Sequence, residues 1–387
     1  MRLEDLGWGP FFAEAFAAHA AGAAAGDAAG GSSDNAARGT AGGGATGTLE
    51  PARVAAVHRT VLGLLCARGE LTARVSGALR HRERAPAVRP VVGDWVAVAT
   101  RPGDGIATIL AVLPRRTQFS RKAAGDRAEE QVLAANVDVA LLMMALDGDY
   151  NLRRLERYLT MVWESGAEPV VVLSKTDLCA DVDAILAEVA TVAIGARVVA
   201  VSGVTGAGLD KLAALLRPAA GGGAPRTAAF LGSSGVGKST VINRLAGLAG
   251  DNAMRVNTVR ADGKGRHTTT HRQLILLPSG GLVIDTPGMR ELALWDSAAG
   301  VEETFEEIEA LAAECRFSDC GHASEPGCAV RAAVEAGTLD ADRLASFHKL
   351  RKEARYLDLK QDKRARSEAN RKGRAIHKEM RGNKKGT

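Results

Sequence analysis

The chain has 387 residues and a net charge of +5 at neutral pH. That length exceeds what one ordinary core accommodates and predicts two or three domains. The sequence contains no run of about 18 uncharged apolar residues, which argues against a membrane span. Two acidic residues within the first five positions argue against a secretory signal. A cytoplasmic protein is therefore expected, with a monomer as its expected state.

The charge is unevenly distributed along the chain. Residues 349–387 contain fifteen Lys or Arg and five Asp or Glu, a net charge of +10, which leaves −5 on the other 348 residues. A basic arm on a mildly acidic body favours a polyanionic partner. RNA or DNA is favoured over membrane because the arm lacks an apolar face. A solvated charged helix is the alternative.

The first 48 residues divide into two segments of different composition. Residues 1–16 contain four aromatic residues: Trp8, Phe11, Phe12 and Phe16. They predict a short docked helix that caps a neighbouring domain. Residues 17–48 are almost entirely Ala, Gly and small polar residues, too poor in bulky side chains to offset their ordering entropy. A disordered linker is expected there.

Residues 49–119 contain short segments of strand character separated by turn residues. The segments are Arg53–Val57, Thr72–Val75, Trp95–Val98 and Thr108–Val112. This pattern favours a small closed barrel of the oligonucleotide-binding (OB) type. Basic residues at the strand ends predict nucleic-acid contact, although ordinary surface charge explains each of them singly. They are Arg80, Arg82, Arg84, Arg115, Arg116, Arg121 and Lys122.

Residues 120–297 alternate buried-type strands with helical stretches, which predicts a mainly parallel sheet covered on both faces. The predicted strands are Val137–Leu146, Pro169–Ser174, Arg197–Ser202, Thr227–Gly232, Gln273–Leu277 and Gly281–Asp285. The expected fold is multidomain. It combines an OB-like β-barrel, an α/β P-loop domain, a mainly helical metal-binding domain at residues 298–348, and the basic arm at 349–387.

A phosphate-binding loop is the most specific single motif. Residues Gly232–Ser239 match the pattern G-x-x-x-x-G-K-[ST] between a predicted strand and a predicted helix. Backbone amides of such a loop wrap the phosphates, while Lys238 reaches the β and γ oxygens and the Ser239 hydroxyl binds Mg²⁺. The predicted nucleotide contacts are Gly232, Ser233, Ser234, Gly235, Val236, Gly237, Lys238, Ser239 and Thr240.

Two further segments complete the predicted phosphate chemistry. In the strand-ending segment 285–288, Asp285 is predicted to hold Mg²⁺ through water, and the Gly288 amide to sense the γ-phosphate. The switch loop at 265–270 contains three consecutive threonines, of which Thr269 is preferred as a Mg²⁺ ligand.

The position after Gly288 holds Met289, where many GTPases place the glutamine that orients water. Methionine cannot orient water, so a substitute polar group is needed. His267 is the nearest candidate in sequence. A surface histidine of the switch, or a contact to a partner, is the alternative for His267.

The segment Ser174-Lys175-Thr176-Asp177 differs from the guanine-reading motif Asn-Lys-x-Asp only at its first residue. Asp177 can accept hydrogen bonds from guanine N1 and N2, a donor pair that adenine lacks, and Lys175 is predicted to lie along the base. Ser202 and Gly203 follow another predicted strand and resemble the loop whose backbone contacts guanine O6. GTP or GDP is therefore favoured over the ATP of a P-loop kinase or ATPase.

Three cysteines and one histidine lie within fourteen residues: Cys315, Cys320, His322 and Cys328. Three thiolates and an imidazole form a full tetrahedral set for one structural Zn²⁺, with no position left open for water. Gly321, Pro326 and Gly327 allow the loop to curl around an ion. Buried free cysteines are the alternative.

The motifs occur in an unusual order. GTP-binding domains usually begin with the phosphate loop and end with the guanine-reading motif, whereas here Ser174–Asp177 precedes Gly232–Thr240 and Asp285–Gly288. This order, together with the string Cys315–Cys328, resembles the ribosome small-subunit-dependent GTPase A family of circularly permuted GTPases. The resemblance covers roughly residues 50–387.

The resemblance implies an OB barrel, a permuted G domain and a zinc-bearing helical domain, with slow GTP hydrolysis that the small ribosomal subunit stimulates. It implies a factor of late subunit maturation that binds rRNA through barrel loops, zinc domain and basic arm, and is released on hydrolysis. An RNA-bound checkpoint or placeholder that uses GTP as a structural ligand or slow timer is the alternative. Because Gly288 and Cys315 are only about thirty residues apart, γ-phosphate contacts are expected to bias the position of the zinc domain.

Overall fold

The computed structural model describes residues 1–29, 48–58, 60–82, 89–101, 105–122, 130–218, 223–248, 273–285 and 298–356. Within these ranges the chain forms a barrel, a mixed α/β region and a helical region that carries the cluster of cysteines and histidine. The predicted fold class is confirmed. No helix in the described ranges combines the length and apolar character that a membrane span requires.

The N-terminal segment docks on the barrel through its aromatic side chains. Helix α1 (Pro10–Ala29) follows a short 3₁₀ turn that buries Leu6. Trp8 packs edge-on against Trp95 of the barrel, with 4.6 Å between ring centroids, and the buried Phe12 ring lies 5.8 Å from the same indole. These contacts cover one side of the barrel.

Helix α1 corrects one prediction. It continues to Ala29, so the disordered linker predicted for residues 17–48 is wrong for residues 17–29. Alanine has the highest helix propensity of all residues, and a run rich in alanine can extend a helix that docked aromatic residues have started. Residues 30–47 of the predicted linker lie outside the described residues.

Five strands close the barrel in the described part of the chain. They are β1 (Thr48–Val57), β2 (Leu62–Cys66), β3 (Gly69–Val75), β4 (Trp95–Thr100) and β5 (Ala107–Val112). Pairing runs β1-β2-β3-β5-β4 and returns from β4 to β1, which makes a closed ring. Strand β2 was not among the predicted segments, because its glycine and its lack of β-branched residues weaken the strand signal. A short helix, α2 (Gly77–Arg82), follows β3.

A two-stranded hairpin and a larger sheet follow the barrel. Their strands are β6 (Gln118–Lys122), β7 (Glu130–Ala135), β8 (Val139–Ala145), β9 (Glu168–Ser174), β10 (Arg197–Ala200), β11 (Thr227–Leu231), β12 (Gln273–Leu276) and β13 (Leu282–Asp285). The larger sheet has the order β10-β9-β8-β11-β13-β12. Its neighbours pair in parallel except β12 and β13, in agreement with the predicted mainly parallel sheet. One residue pair, Ala56 with Gln273, joins β12 to β1.

Helices cover the sheet and connect its strands. They are α3 (Leu152–Ser165), α4 (Val182–Ala190), α5 (Leu209–Leu216) and α6 (Lys238–Ala246). Every residue of β8 is buried, as expected for a central strand covered on both faces. Because β8, β9, β10, β11 and β13 run parallel, their carboxyl ends meet at one edge of the sheet, where ligands bind in open α/β folds.

The helical region that follows packs on α3. It contains α7 (Ala298–Thr304), α8 (Glu306–Ala312), α9 (Ala329–Glu335) and a last helix, α10, at 341–356. Helices α3 and α7 cross closely, since a Cβ atom on Gly300 would lie 2.3 Å from the Thr160 carbonyl oxygen. The hydroxyl groups of Thr160 and Thr304 are hydrogen-bonded across this contact at 3.1 Å.

The boundary predicted between metal-binding domain and basic arm, at residue 349, falls inside α10. Leu350 and Ala354 are buried, and Arg157 of α3 donates to Glu353 at 2.7 Å. Residues 349–356 therefore form part of the packed helical region, which a count of charges alone did not indicate. Residues 357–387 of the predicted arm lie outside the described residues.

A buried cation joins three parts of the molecule. Arg53 of β1 donates to carbonyl oxygens of Leu6, Gly93 and Asn136, and to the Thr227 hydroxyl at 2.9 Å. Burial lowers the pKa of Arg53 to about 10, so the guanidinium remains charged at neutral pH. The N-terminal segment, the barrel and the strand that leads to the phosphate loop are thus held by one side chain.

Candidate functional site

The predicted nucleotide residues lie at the carboxyl edge of the sheet. Ser202 follows β10, Ser174 ends β9, Gly232 follows β11, and Asp285 ends β13. Each comes from a different strand, so the chain assembles the site from distant segments. Along this edge the order is Ser202, which belongs to the loop predicted to contact the base, then Ser174, Gly232 and finally Asp285, the carboxylate predicted to hold Mg²⁺.

The phosphate loop has the backbone conformation that its glycines allow. Gly232, Gly235 and Gly237 all have positive φ, and a Cβ atom on Gly232 would lie 2.5 Å from the Met143 carbonyl oxygen. The loop ends where α6 begins, at Lys238, whose ammonium donates to the carbonyl oxygens of Gly232 and Ser233 at 2.6 Å each. The loop and helix N-terminus form the arrangement that binds phosphates in proteins.

Ser174 connects the predicted base motif to the phosphate loop. Its hydroxyl is buried and lies 2.6 Å from the carbonyl oxygen of Val236 and 3.2 Å from that of Met144. The single hydroxyl hydrogen is donated to the nearer oxygen, which belongs to the phosphate loop. A serine at this position therefore ties two motifs together across β8.

Asp177 is oriented by the loop after β10. The Ser202 hydroxyl donates to Asp177 Oδ1 at 2.5 Å and accepts the backbone amide of Thr205 at 3.1 Å. One carboxylate oxygen is therefore held by the protein. Among the residues that the structure describes, no side-chain hydrogen bond engages the other oxygen, so it and the remaining lone pairs can accept from a ligand.

Lys175 is held by a residue that the sequence analysis did not identify. Its ammonium forms an ion pair with Asp147, which lies just beyond the end of β8. Lys175 also has φ of 58°, in the left-handed region that is uncommon for residues other than glycine. The only sequence signal for Asp147 is its position directly after a buried strand.

Three predicted catalytic residues lie outside the described residues: His267, Thr269 and Gly288. Asp285 is described, is partly buried and ends β13, which pairs in parallel with the strand before the phosphate loop. This pairing puts Asp285 and the phosphate loop on the same edge, as the predicted role of Asp285 requires.

The four predicted metal ligands come together. The donor atoms of Cys315, Cys320, His322 and Cys328 all lie within 4.8 Å of one another. His322 Nδ1 is 3.6 Å from Cys315 Sγ and 3.6 Å from Cys328 Sγ, and those two sulfur atoms are 3.9 Å apart. Zinc bonds of about 2.0–2.3 Å at tetrahedral angles place donors about 3.5–3.8 Å apart, so the cluster fits Zn²⁺. Zinc would hold the loop between α8 and α9 in place.

Glu325 shapes the loop around this cluster. Its carboxylate accepts the backbone amides of Gly321, Ala323 and Ser324, each at 2.9 Å. Hydrogen bonds from its own amide and from those of Ser324, Ala323 and Gly321 lower the pKa of Glu325 to about 2. The carboxylate is therefore ionised at neutral pH and orders the backbone on both sides of His322.

Replacing Glu325 by alanine is expected to lower the zinc affinity about tenfold, because groups that orient metal ligands typically contribute that much. Competition with a chromophoric chelator measures the affinity. The control is Glu335→Ala, which removes an exposed carboxylate on α9, paired with Arg331. Equal zinc affinities for the two variants would contradict the role given to Glu325.

The predicted nucleic-acid arginines have different surroundings. Arg115 donates from Nε and Nη2 to both oxygens of the fully buried Asp94, at 2.8 Å each. Burial raises the pKa of Asp94, and the hydrogen bonds from Arg115 act in the opposite direction. Arg115 is thus engaged inside the fold. Arg116 is more exposed and lies 3.6 Å from Asp138.

Comparison with known proteins yields consistent matches. A family model described as RsgA GTPase matches residues 112–295. The small ribosomal subunit biogenesis GTPase RsgA of Opitutus terrae is 49% identical over 371 residues, which cover 94% of this chain and 92% of that protein. The protein of the same name from Streptomyces coelicolor is 43% identical over 370 residues, covering 95% and 90%.

Two solved structures share the fold. YjeQ from Thermotoga maritima aligns with a TM-score of 0.59 at 24% identity, over 79% of this chain and 99% of that chain. YloQ, described as a circularly permuted GTPase, aligns with a TM-score of 0.56 at 23% identity, over 80% and 96%. The description of YloQ agrees with the reversed order of motifs in this chain.

Proposed function

Because the chain belongs to the RsgA GTPase family, we propose that this GTPase is stimulated by the small ribosomal subunit and acts late in its maturation. The observation that carries the proposal is the edge of the sheet, where groups suited to guanine stand beside a phosphate loop. The names of the relatives from Opitutus terrae and Streptomyces coelicolor support the ribosomal part. A cytoplasmic site of action follows from that role.

The proposed roles follow the chemistry of each group. Asp177 accepts from guanine N1 and N2, and Lys238 with the loop amides binds the phosphates. Ser239 and Thr269 of the switch loop would hold Mg²⁺, with Asp285 acting through water. The metal would supply charge that stabilises the transferring phosphoryl group. The Gly288 amide senses the γ-phosphate, and one Zn²⁺ orders the C-terminal loop.

Domain boundaries are part of the proposal. The barrel comprises residues 48–112, the permuted G domain begins near residue 118, and the zinc domain comprises residues 298–356. The basic arm then begins after α10. Residues 357–387 contain eleven Lys or Arg and four Asp or Glu, a net charge of +7, which supports an rRNA partner because phosphate backbones dominate the affinity of basic segments for nucleic acids.

Measurement of GTP turnover with and without purified small subunits tests the proposal. We expect slow turnover alone and a rise of at least tenfold with subunits, as a partner that completes a catalytic site gives. The large ribosomal subunit is the control for nonspecific RNA effects. Turnover unchanged by small subunits would favour an RNA-bound checkpoint that uses GTP as a slow timer.

Release on hydrolysis requires that the two nucleotide states bind the subunit unequally. We expect tighter subunit binding with a non-hydrolysable GTP analogue than with GDP, because the zinc domain packs on α3 and follows the γ-phosphate switch in sequence. Equal affinities would reject nucleotide-controlled release.

Substitution of His267 addresses the chemical step: unchanged stimulated hydrolysis would show that His267 does not orient water.

An exposed aromatic residue on the zinc loop offers a specific test of RNA contact. Phe317 lies between two zinc ligands, is 41% exposed, and has the Arg316 guanidinium 5.4 Å from its ring centroid. The turn is held because the Arg316 amide donates to the Gly327 carbonyl and the Cys320 amide donates to the Phe317 carbonyl. An ordered aromatic ring beside a cation suits stacking on an unpaired base.

Replacing Phe317 by alanine is expected to weaken subunit binding by roughly fivefold to a hundredfold, the range for loss of one stacked base. Phe317→Tyr should retain wild-type affinity because it keeps the ring. Phe11→Ala is the matched control, since Phe11 is an aromatic residue of similar exposure, 44%, on α1. The same affinity for the alanine variants at 317 and 11 would argue against stacking by the zinc loop.

A further inference from the structure

Helix α6 contacts the loop after β10 as well as the phosphate loop. Arg244 of α6 donates from Nε to the Gly203 carbonyl oxygen at 3.2 Å and from Nη2 to the Val204 carbonyl oxygen at 2.7 Å. Thr240 lies four residues before Arg244, so the two share one face of α6. A Cβ atom on Gly203 would lie 2.9 Å from Thr240 Cγ2, which shows how closely this face approaches the loop.

The backbone amides of this loop can be accounted for one by one. Ser202 donates its amide to Ala207 O at 3.0 Å, and the amides of Thr205, Gly206 and Ala207 also have partners within the loop. Among the described residues, none accepts from the amides of Gly203 or Val204. Two adjacent donors therefore stay open to a ligand.

The direction of these two amides follows from the planar trans peptide. The Val204 N–H points opposite to the Gly203 carbonyl, and that carbonyl faces Arg244. The Gly203 N–H points opposite to the Ser202 carbonyl, which accepts the Gly206 amide at 2.9 Å. Both donors are thus turned away from groups that hold the loop. Among the described residues, Arg244 is the side chain that donates to the Gly203 and Val204 carbonyls, so its loss removes these two constraints on the loop.

We propose that Arg244 is a positioning residue for guanine recognition: by holding the carbonyls of Gly203 and Val204 it fixes the peptide planes on both sides of Val204, so that the Val204 amide and the adjacent Gly203 amide are presented to guanine O6. The inference rests on the proposed reading of the base by Asp177 and this loop. Adenine carries an amino group where guanine has O6, so two fixed donors also disfavour adenine. Because α6 begins at the phosphate loop, one helix aligns the phosphate and base subsites.

Three nucleoside diphosphates, namely GDP, inosine diphosphate and 6-thioguanosine diphosphate, separate the contributions of the 2-amino group and of O6 to base recognition. Inosine diphosphate lacks the 2-amino group and reports on Asp177, whereas 6-thioguanosine diphosphate keeps both donors and replaces O6 with sulfur, a weaker acceptor. We expect Arg244→Ala to lower GDP affinity roughly fivefold to tenfold. In this variant the ratio of the affinities for GDP and for the thio analogue should fall towards one. The ratio of the affinities for GDP and for inosine diphosphate should stay as in the wild-type protein. Titration calorimetry measures all three affinities.

Matched variants make the experiment decisive. Lys211→Ala removes an exposed cation from α5, directly after the loop, and should leave each preference unchanged. Arg244→Lys should retain part of the preference for GDP over the thio analogue, because one ammonium can reach one of the two carbonyls. Should Arg244→Ala fold poorly, Gly203→Ala provides a second route, since its methyl group meets Thr240 and displaces the loop.

The outcomes distinguish the inference from the function on which it rests. If the wild-type protein binds all three diphosphates equally, base reading at this edge is wrong and the inference fails with it. If the wild-type protein discriminates and Arg244→Ala keeps the full preference for O6 over sulfur, the positioning role alone is overturned. In GTP turnover the loss in Arg244→Ala should appear mainly as a higher KM, because Arg244 donates to the base loop and not to the phosphate loop.

Discussion

Replacement of Asp177 by asparagine is expected to lower the affinity for GDP about a thousandfold, because guanine donors would then face an amide that donates. The Ser202 hydroxyl donates to Oδ1 of this residue and would keep the oxygen of the asparagine side chain on its own side. The amide nitrogen would turn towards the base. Xanthine has a carbonyl oxygen where guanine has its 2-amino group, so affinity for xanthosine diphosphate should rise.

Fluorescent-nucleotide competition with GDP and xanthosine diphosphate measures this exchange of specificity. Asp181→Asn is the matched control, since Asp181 caps α4 by accepting the Ala184 amide, and asparagine caps helices equally well. An Asp177→Asn variant that still binds GDP like the wild-type protein would remove Asp177 from the base site. The phosphate loop is untouched by either change, which keeps the comparison confined to the base.

The second large effect is expected at the contact between α3 and the zinc domain. Glu156 of α3 is fully buried and accepts from Arg343 of α10 at 3.1 Å. Arg343 also donates to Glu307 at 2.6 Å and to the Thr304 carbonyl at 2.7 Å, and its guanidinium lies 4.5 Å from the Phe305 ring centroid. One side chain therefore connects α3, α8, α10 and the end of α7.

Arg343→Met should reduce the free energy of unfolding of the docked zinc domain by about 3 kcal/mol, since it removes the buried one of the two cations that pair with the buried Glu156 carboxylate. The value is at the lower end of the range for broken buried pairs because Arg153 still donates to Glu156 at 2.6 Å. Urea unfolding and limited proteolysis between α7 and α10 measure the effect. Subunit-stimulated turnover should fall in parallel.

Two comparisons control this prediction. Arg331→Met breaks the exposed pair with Glu335 in the same domain and should change stability by less than about 0.5 kcal/mol. Adding Glu156→Leu to Arg343→Met removes the stranded carboxylate, so the double variant should be more stable than Arg343→Met. Identical unfolding of the Arg331 and Arg343 variants would mean that the buried pair does not hold the domain.

Much of the candidate site was predictable because its chemistry is local. The phosphate loop needs glycines, a lysine and a hydroxyl within nine residues, and the structure gives Gly232, Gly235 and Gly237 the positive φ angles that such a loop uses. The metal cluster likewise depends on four donors in fourteen residues. Spacing of this kind determines which side chains can meet, whatever the remainder of the fold.

Residues that act through distant partners were not predictable. Asp147 pairs with Lys175, and Arg244 with two carbonyls about forty positions earlier, so no local pattern identifies either pairing. Arg115 belonged to a plausible group of surface arginines, yet it neutralises the buried Asp94. The composition of residues 17–29 predicted a disordered linker. These residues instead continue helix α1, because alanine favours helix and the aromatic residues at the start of α1 are docked on the barrel.

The sequence by itself determined the nucleotide-binding motifs, the cluster of three cysteines and one histidine, and the reversed order of the motifs, because residue type and spacing alone specify which atoms can hold phosphate, guanine or zinc. Tertiary structure decided how those motifs are aligned. The parallel sheet brings Ser174 to Val236, Asp177 to Ser202 and α6 to the loop after β10. Such contacts depend on strand order and helix packing, which arise from burial of apolar surface over the whole chain and not from any one motif.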